Sequence, residues 1–399
     1  METFRRLALA AEITIAGTTS TFLVVETGSL YACGNNYSGQ LGLGDGSNRW
    51  TLTRVPLKES VKTVVTSGQS TYVLTVSGAL YACGDNDYGQ LGLGDSRNRS
   101  TLTRVRLEES AKMIGASDTS TYVLTRSGAL YACGNNTFGQ LGFGDLSQRS
   151  TLTKVPLEER AMTVVVGGGF AYVITVSGAL YACGLNGYGQ LGLGDLSHRS
   201  TLTKVPLEES VKTISVGYSS LFVVTISGLL YACGLNGSGR LGLGNISHQE
   251  TLRRVPLTEC VKTVVVKGIS TFVVTVNGAL YTCGDNRLGI GDLRDRSELT
   301  RVPLEESVNM IALSNSSAYV LTVSGALYAC GQLGLGDRQN RSTLRKVPLE
   351  ERANTITADR FSVYVHTSSG ELYTCGNNHY GRLNLGNIET RSTFAPVTY

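Results

Sequence analysis

Cys33, Cys83, Cys133, Cys183, Cys233 and Cys283 stand 50 residues apart, with Cys330 following after 47 and Cys375 after 45. Each sits in a Gly-x-Leu-Tyr-x-Cys-Gly phrase, usually followed by Gly-Gln-Leu-Gly-x-Gly-Asp. A fixed period of this length marks stacked supersecondary units, each too small to bury its own apolar surface. No charge block, Pro/Ser tract or change of composition interrupts the 399 residues. The chain therefore reads as one array over residues 1–399, a single domain of about eight repeats of 45–50 residues. Eight copies can be compared with one another: what they share is scaffold, and individual function belongs where they differ.

The unit from Val61 to Glu109 resolves into four short β-rich runs. Val61–Thr66 is followed by a turn at Ser67–Ser70, then Thr71–Val76, a tight Ser77-Gly78 turn, and Ala79–Cys83. A glycine-rich loop, Gly84–Asn98, leads to Thr101–Val105. No helical periodicity is sustained. The expected fold class is all-β: a β-propeller of four-stranded antiparallel blades, eight by repeat count with seven as the alternative. The first strand then lines the central channel and the fourth forms the rim. Pro56, Pro156, Pro206, Pro256, Pro303 and Pro348 follow a Val of the fourth run, where only an edge strand tolerates proline. Thr3–Leu9 resembles a fourth strand, and Thr393–Val397 is another, so one of them is a candidate for completing the blade that joins the termini.

Composition limits the chemistry. The net charge is +4 and no basic cluster marks nucleic acid. Equivalent cysteines in adjacent units should lie roughly 10 Å apart, the spacing of packed sheets, whereas a disulfide needs Cα atoms within about 7 Å. They read as small buried residues, and free thiols fit a reducing compartment, cytoplasmic or nuclear. Cys260 alone falls outside the pattern. The Leu-Ala-Leu-Ala-Ala run near the start is too short for a signal peptide, and no stretch approaches the length of a membrane span.

The phrase Gly78-Ala-Leu-Tyr-Ala-Cys-Gly-Asp-Asn-Asp-Tyr-Gly-Gln-Leu-Gly-Leu-Gly-Asp95 is similar to the repeat of the regulator of chromosome condensation family, and the resemblance spans nearly the whole chain. It implies a propeller, in that family typically of seven blades. Some members are guanine-nucleotide exchange factors for Ran-type GTPases; many others are interaction platforms. The chain departs from the family in having eight copies. The histidine often found in a Gly-x-x-His phrase is replaced by Thr21, Thr71, Thr121, Ala171, Leu221, Thr271, Ala318 and Val363. No unit is long enough to carry a wedge hairpin, and no basic tail of the chromatin-binding kind is present. Chromatin and nucleic acid are accordingly not supported as partners.

Several residue sets invite chemistry and have a simpler explanation. Gly-Gln-Leu-Gly-Leu-Gly-Asp leads to a strand, not to the helix and lysine of a phosphate loop. Arg49, Arg99, Arg149, Arg199, Arg296, Arg341 and Arg391 recur with Asp45, Asp95, Asp145, Asp195, Asp292 and Asp337 and read as ion pairs that pin the loop. His198 and His248 occupy equivalent positions but have no third metal ligand. Glu108-Glu109 and its copies read as solvated turn residues. No catalytic constellation appears, so no enzyme chemistry, cofactor or metal is expected.

The turn between the first and second strands surrounds one channel mouth and varies most: Thr19, Gln69, Asp118, Phe170, Tyr218, Ile269, Asn315, Arg360 and Phe361. Large apolar residues on a turn are protein-binding anchors. In photoreceptor-like relatives the same turn carries the partner-binding residues. Gln69, Asp118, Phe170, Tyr218, Ile269, Asn315, Arg360 and Phe361 are thus the candidate partner-binding residues. Units six and seven shorten the loop after the third strand by three and five residues, which leaves a notch. The functional expectation is a protein-interaction propeller regulating a Ran-type GTPase, with nucleotide exchange the activity to test. The alternative is a scaffold or adaptor propeller with no exchange activity.

Overall fold

The computed structural model describes residues 19–285, 294–315, 317–331, 334–336 and 341–397, with 289, 291 and 339, and the backbone of 11–16. Thirty-two strands form eight sheets, each four-stranded and in simple sequential order. No helix occurs among the described residues. The blades run Ala11–Arg54, Val61–Arg104, Ala111–Lys154, Ala161–Lys204, Val211–Arg254, Val261–Arg301, Val308–Lys346 and Ala353–Pro396. Eight blades, not seven, make the ring.

Blade 2 illustrates the pattern: Val61–Ser67, Ser70–Thr75, Leu80–Gly84 and Arg99–Arg104, all antiparallel. Innermost strands of successive blades contact one another around the ring, the eighth touching the first. The second strand is buried on both faces in most blades, whereas the fourth is mostly half-buried or exposed. The second strand therefore shows no polar alternation, because neighbouring blades cover both its faces. Between blades 2 and 3, Leu74, Leu80, Val105, Ala111, Ile114 and Val123 form one such apolar layer. Pro56 is exposed just beyond the end of a rim strand, where no ladder bond is lost.

Two polar devices join the blades. Tyr72 Oη donates to the Gln90 carbonyl at 3.1 Å, and the Cys133 thiol of the next blade donates to the same oxygen at 3.4 Å. Tyr172 and Cys233 converge likewise on the Gln190 carbonyl. The repeated cysteines are therefore buried donors as well as small core residues, and desolvation pushes Cys183 up to about 12. On the opposite face, Tyr81 Oη and Ser77 Oγ both donate to Glu59, at 2.6 and 2.9 Å. Glu209 receives Tyr231 and Ser227 in the same way. The last glutamate of each connector is thus a latch and not merely a solvated charge; these hydrogen bonds hold its carboxyl below the usual range.

Ring closure uses no exchanged strand. Blade 1 supplies its own rim strand, Arg49–Arg54, and blade 8 its own, Arg391–Pro396. Of the two terminal runs, Thr393–Val397 falls in the fourth strand of blade 8, and among the described residues no blade combines segments from both termini: each is built from one contiguous segment. Thr3–Leu9 lies outside the described residues. Blades 8 and 1 meet through Thr21 Oγ1 and Tyr364 Oη at 2.7 Å, the Cys33 thiol on the Arg382 carbonyl at 3.6 Å, and Leu52 N on Asn384 Oδ1 at 2.7 Å.

Candidate protein-binding face

The first turn of each blade and its long loop lie on one face. Asn35 N, Asp85 N and Asn135 N each bond a carbonyl of the first turn in their own blade. The loop is folded by a buried asparagine. Asn136 Oδ1 accepts from Leu141 N at 2.9 Å, while its Nδ2 donates to the Asp145 carbonyl at 2.9 Å. The loop then bridges to the next blade, Gly144 N reaching the Ser200 carbonyl at 2.7 Å. Gly139 permits the approach: a Cβ there would lie 2.4 Å from Ser200 Cα, and its φ is +76°.

The recurrent ion pairs are internal to this loop. Asp45–Arg49, Asp95–Arg99, Asp145–Arg149 and Asp195–Arg199 close at 2.5–2.7 Å. Asp292 and Asp337 lie outside the described residues. In blade 8, where Asn387 replaces the acid, Arg391 pairs with Glu389 at 3.6 Å. The loop histidines are structural. His198 Nδ1 accepts from Asn186 N at 3.1 Å and His248 Nδ1 from Asn236 N at 3.0 Å, as Asn48 and Asn98 do in blades 1 and 2. No cluster of three or more metal-ligating residues occurs among the described residues.

The turn residues divide. Tyr218 is 80% exposed, and Ile269 and Phe361 are also accessible. Gln69, Asp118, Asn315 and Arg360 are exposed on the same face. Gln69 accepts from Ser38 Oγ of blade 1 at 2.7 Å, and Asp118 from Ser67 Oγ of blade 2 at 3.1 Å. Asn315 N donates to the Arg360 carbonyl at 2.9 Å, which ties the turns of blades 7 and 8 together. Phe170 is a correction: it is 1% exposed and packs edge-on against Tyr172. Its ring folds back over Gly167, where a Cβ would lie 2.1 Å away, so the Gly167–Gly169 turn makes room for it inside the core.

Two groups on this face were not singled out in the sequence. Tyr88, Phe138 and Tyr188 occupy one repeat position in blades 2–4 and stand partly exposed. Phe138 meets His198 and Tyr188 meets His248 edge-on, at 5.5 and 5.4 Å, so these rings are held in place. The second group is charged. Arg240 and Arg382 replace the glutamine of Gly-Gln-Leu-Gly and are almost wholly buried. Arg382 Nη1 lies 3.9 Å from Asp359 Oδ2. Asp359 Oδ1 caps its turn, accepting from Phe361 N and Ser362 N at 2.6 Å each. Burial raises the Asp359 carboxyl to about 6 despite those donors. The signal was available as a break in an otherwise uniform phrase, Gly-Arg-Leu in units five and eight.

Models of the regulator of chromosome condensation (RCC1) repeat match residues 27–74, 77–124 and 177–224, and a second model of the repeat matches 61–90 and 114–140. The chain is an RCC1-like β-propeller. Human WBSCR16 is similar in structure at a TM-score of 0.67 and 19% identity, covering 83% of this chain and 98% of its own. Yeast RCC1 (Prp20), in its structure with Kap60, gives 0.65 at 16% identity, covering 90% and 89%. Prp20p of Saccharomyces cerevisiae, in a structure whose description names binding to Gsp1p and histones, gives 0.64 at 17%, covering 89% and 92%. At these identities the likeness is one of fold. No curated protein gives a significant match to the sequence. No helix among the described residues is long and apolar enough to cross a membrane.

Proposed function

We propose that this RCC1-like propeller binds a protein partner on its loop face and regulates a Ran-type small GTPase. The observation that carries the reading is the row of exposed rings on that face. The latches and loop bonds recur from blade to blade, whereas Tyr37, Tyr88, Phe138, Tyr188, the projecting Tyr218 and Phe361 differ between blades and stand exposed. Exposed rings on a rigid platform are what protein interfaces use as anchors. Gln69, Asp118, Ile269, Asn315, Arg360 and Phe361 border the same mouth. The Gsp1p binding named for yeast Prp20p favours a GTPase as the partner class. Exchange would need no covalent chemistry: the propeller would favour the nucleotide-free state by binding it more tightly. We place its action in the cytoplasm or nucleus, a reading supported by nine unpaired cysteines.

The scaffold reading is favoured by a separate observation: every described connection keeps the repeat length or falls short of it, which leaves no projecting wedge. Incubation with a Ran-type GTPase loaded with fluorescent GDP tests the first reading. Accelerated release that is lost in Tyr218→Ala supports it. Release at the buffer rate across related GTPases discards exchange and leaves the scaffold.

A further inference from the structure

The mouth of the channel is electrostatically lopsided, and the cause is a substitution that costs stability where it stands. In blades 1–4 the loop glutamine is neutral and serves its own loop: the side-chain oxygens of Gln40, Gln90, Gln140 and Gln190 accept from the backbone N–H two residues earlier, at 2.9–3.0 Å. Arg240 takes this place in blade 5. A guanidinium has no acceptor, so the loop bond is lost, and a full charge enters a site that is only 5% exposed. Its Nη1 donates to the Gly268 carbonyl at a long 3.4 Å, and its Nε is buried with no partner. No carboxylate among the described residues pairs with it, and its charge is desolvated. An unpaired buried cation is unfavourable, and an arriving anion relieves it.

The neighbouring turn adds to the same field. Gly268 and Ile269 are exposed, and Lys267 beside them is partly desolvated, in electrostatic reach of Asp359 and Arg360 of blade 8. Arg360 is exposed on the turn that Asn315 ties to blade 7. Among the described residues at the first turns of blades 6–8, Asp359 is the one acid against Lys267 and Arg360, with Arg240 and Arg382 buried nearby. Asp359 is committed to capping its turn and to Arg382. Blades 2 and 3 present the opposite sign, with Asp85, Asp87 and Asp118.

We infer that the mouth over blades 5–8 receives the carboxylates of an acidic peptide segment, with Arg240, Lys267 and Arg360 as the receiving cations. This rests on the loop face being the binding face and specifies the chemistry of what docks there. Arg240 acts from beneath the Gly268 carbonyl, while Lys267 and Arg360 meet the carboxylates at the surface. Tyr188 and Tyr218 stand exposed on the adjoining blades, so apolar residues flank the acidic ones of the segment.

The probe is a fluorescein-labelled hexaglutamate peptide, titrated against the full chain by fluorescence anisotropy at low salt. Arg240→Gln restores the residue that four blades carry, so it is expected to fold. The wild type is expected to bind, with affinity falling as salt rises. Arg240→Gln with Lys267→Gln should weaken binding at least tenfold, whereas Arg104→Gln, at the end of a rim strand, should change it less than twofold. Equal binding by wild type and double variant overturns the inference. So does tighter binding of a labelled DNA duplex than of the peptide. Binding of the peptide without any GTPase response leaves this site standing and discards the GTPase reading; the reverse pattern discards the site alone.

Discussion

Replacing Tyr364 by Phe should loosen the ring where it closes. The Tyr364 hydroxyl donates to the Arg382 carbonyl at 3.0 Å, so the Thr21 hydroxyl is the donor in their 2.7 Å bond. Removing it leaves Thr21 buried without that partner, while the Arg382 carbonyl keeps the Cys33 thiol. One orphaned buried hydroxyl costs about 1–3 kcal/mol. Tyr72 offers the same chemistry inside the ring: it receives Thr121 at 2.7 Å and donates to the Gln90 carbonyl, which keeps Cys133. The surroundings differ. Blades 2 and 3 are also joined by the chain and by Gly94 N on the Ser150 carbonyl at 2.8 Å. Blades 8 and 1 share no connecting segment. Native-state hydrogen exchange separates the two cases. Tyr364→Phe should raise exchange in blades 1 and 8 by roughly tenfold to a hundredfold, since about 1.4 kcal/mol is a factor of ten. Tyr72→Phe should lower global stability by a similar free energy without favouring any one seam. Equal, ring-wide exchange in both variants would refute the idea that closure is the weak seam.

Gly139→Ala should destabilise by about 1–3 kcal/mol in urea unfolding, since it combines a positive φ with a 2.4 Å backbone collision. Gly187→Ala, with no heavy atom within 4 Å of the new Cβ, should be neutral by the same measurement. Titration with a thiol reagent should find one reactive cysteine per folded chain, Cys260, and nine after denaturation, because the other eight are buried. The Asp359 carboxyl is raised from 3.8 to about 6 in the folded state, so its contribution to stability is full below pH 4 and lost as pH rises through 6. Asp359→Asn should remove that part of the pH dependence between 4 and 6 in urea midpoints, and an unchanged profile would contradict it.

The repeat made the architecture legible. One period contains every strand, and equal spacing of Cys33 through Cys283 leaves only a count to make. The proline after six of the eight fourth runs placed the rim because a central ladder position cannot hold it. Side-chain roles were less visible. The thiol of Cys133 is a donor only because an adjacent blade brings the Gln90 carbonyl to it, a relation between copies that no single copy displays. Glu59 looks solvated in its own unit; Tyr81 and Ser77, which hold it, belong to the next. Phe170 and Tyr218 both sit at the first turn, yet opposite fates follow from neighbours. Gly167 opens a pocket for one, while Ser220, in the place of Phe170, leaves blade 5 without a ring to bury. Closure could not be read from terminal likeness, because any rim strand resembles any other.

The loop face as the binding surface is tested most directly by hydrogen exchange with and without a nucleotide-free Ran-type GTPase. Protection is expected at Gly217–Ser219, Lys267–Ile269 and Asp359–Phe361, with the hairpins of the opposite face, such as Ser77–Ala79, unchanged. Protection confined to those hairpins or to the rim strands, or none anywhere, would contradict the account.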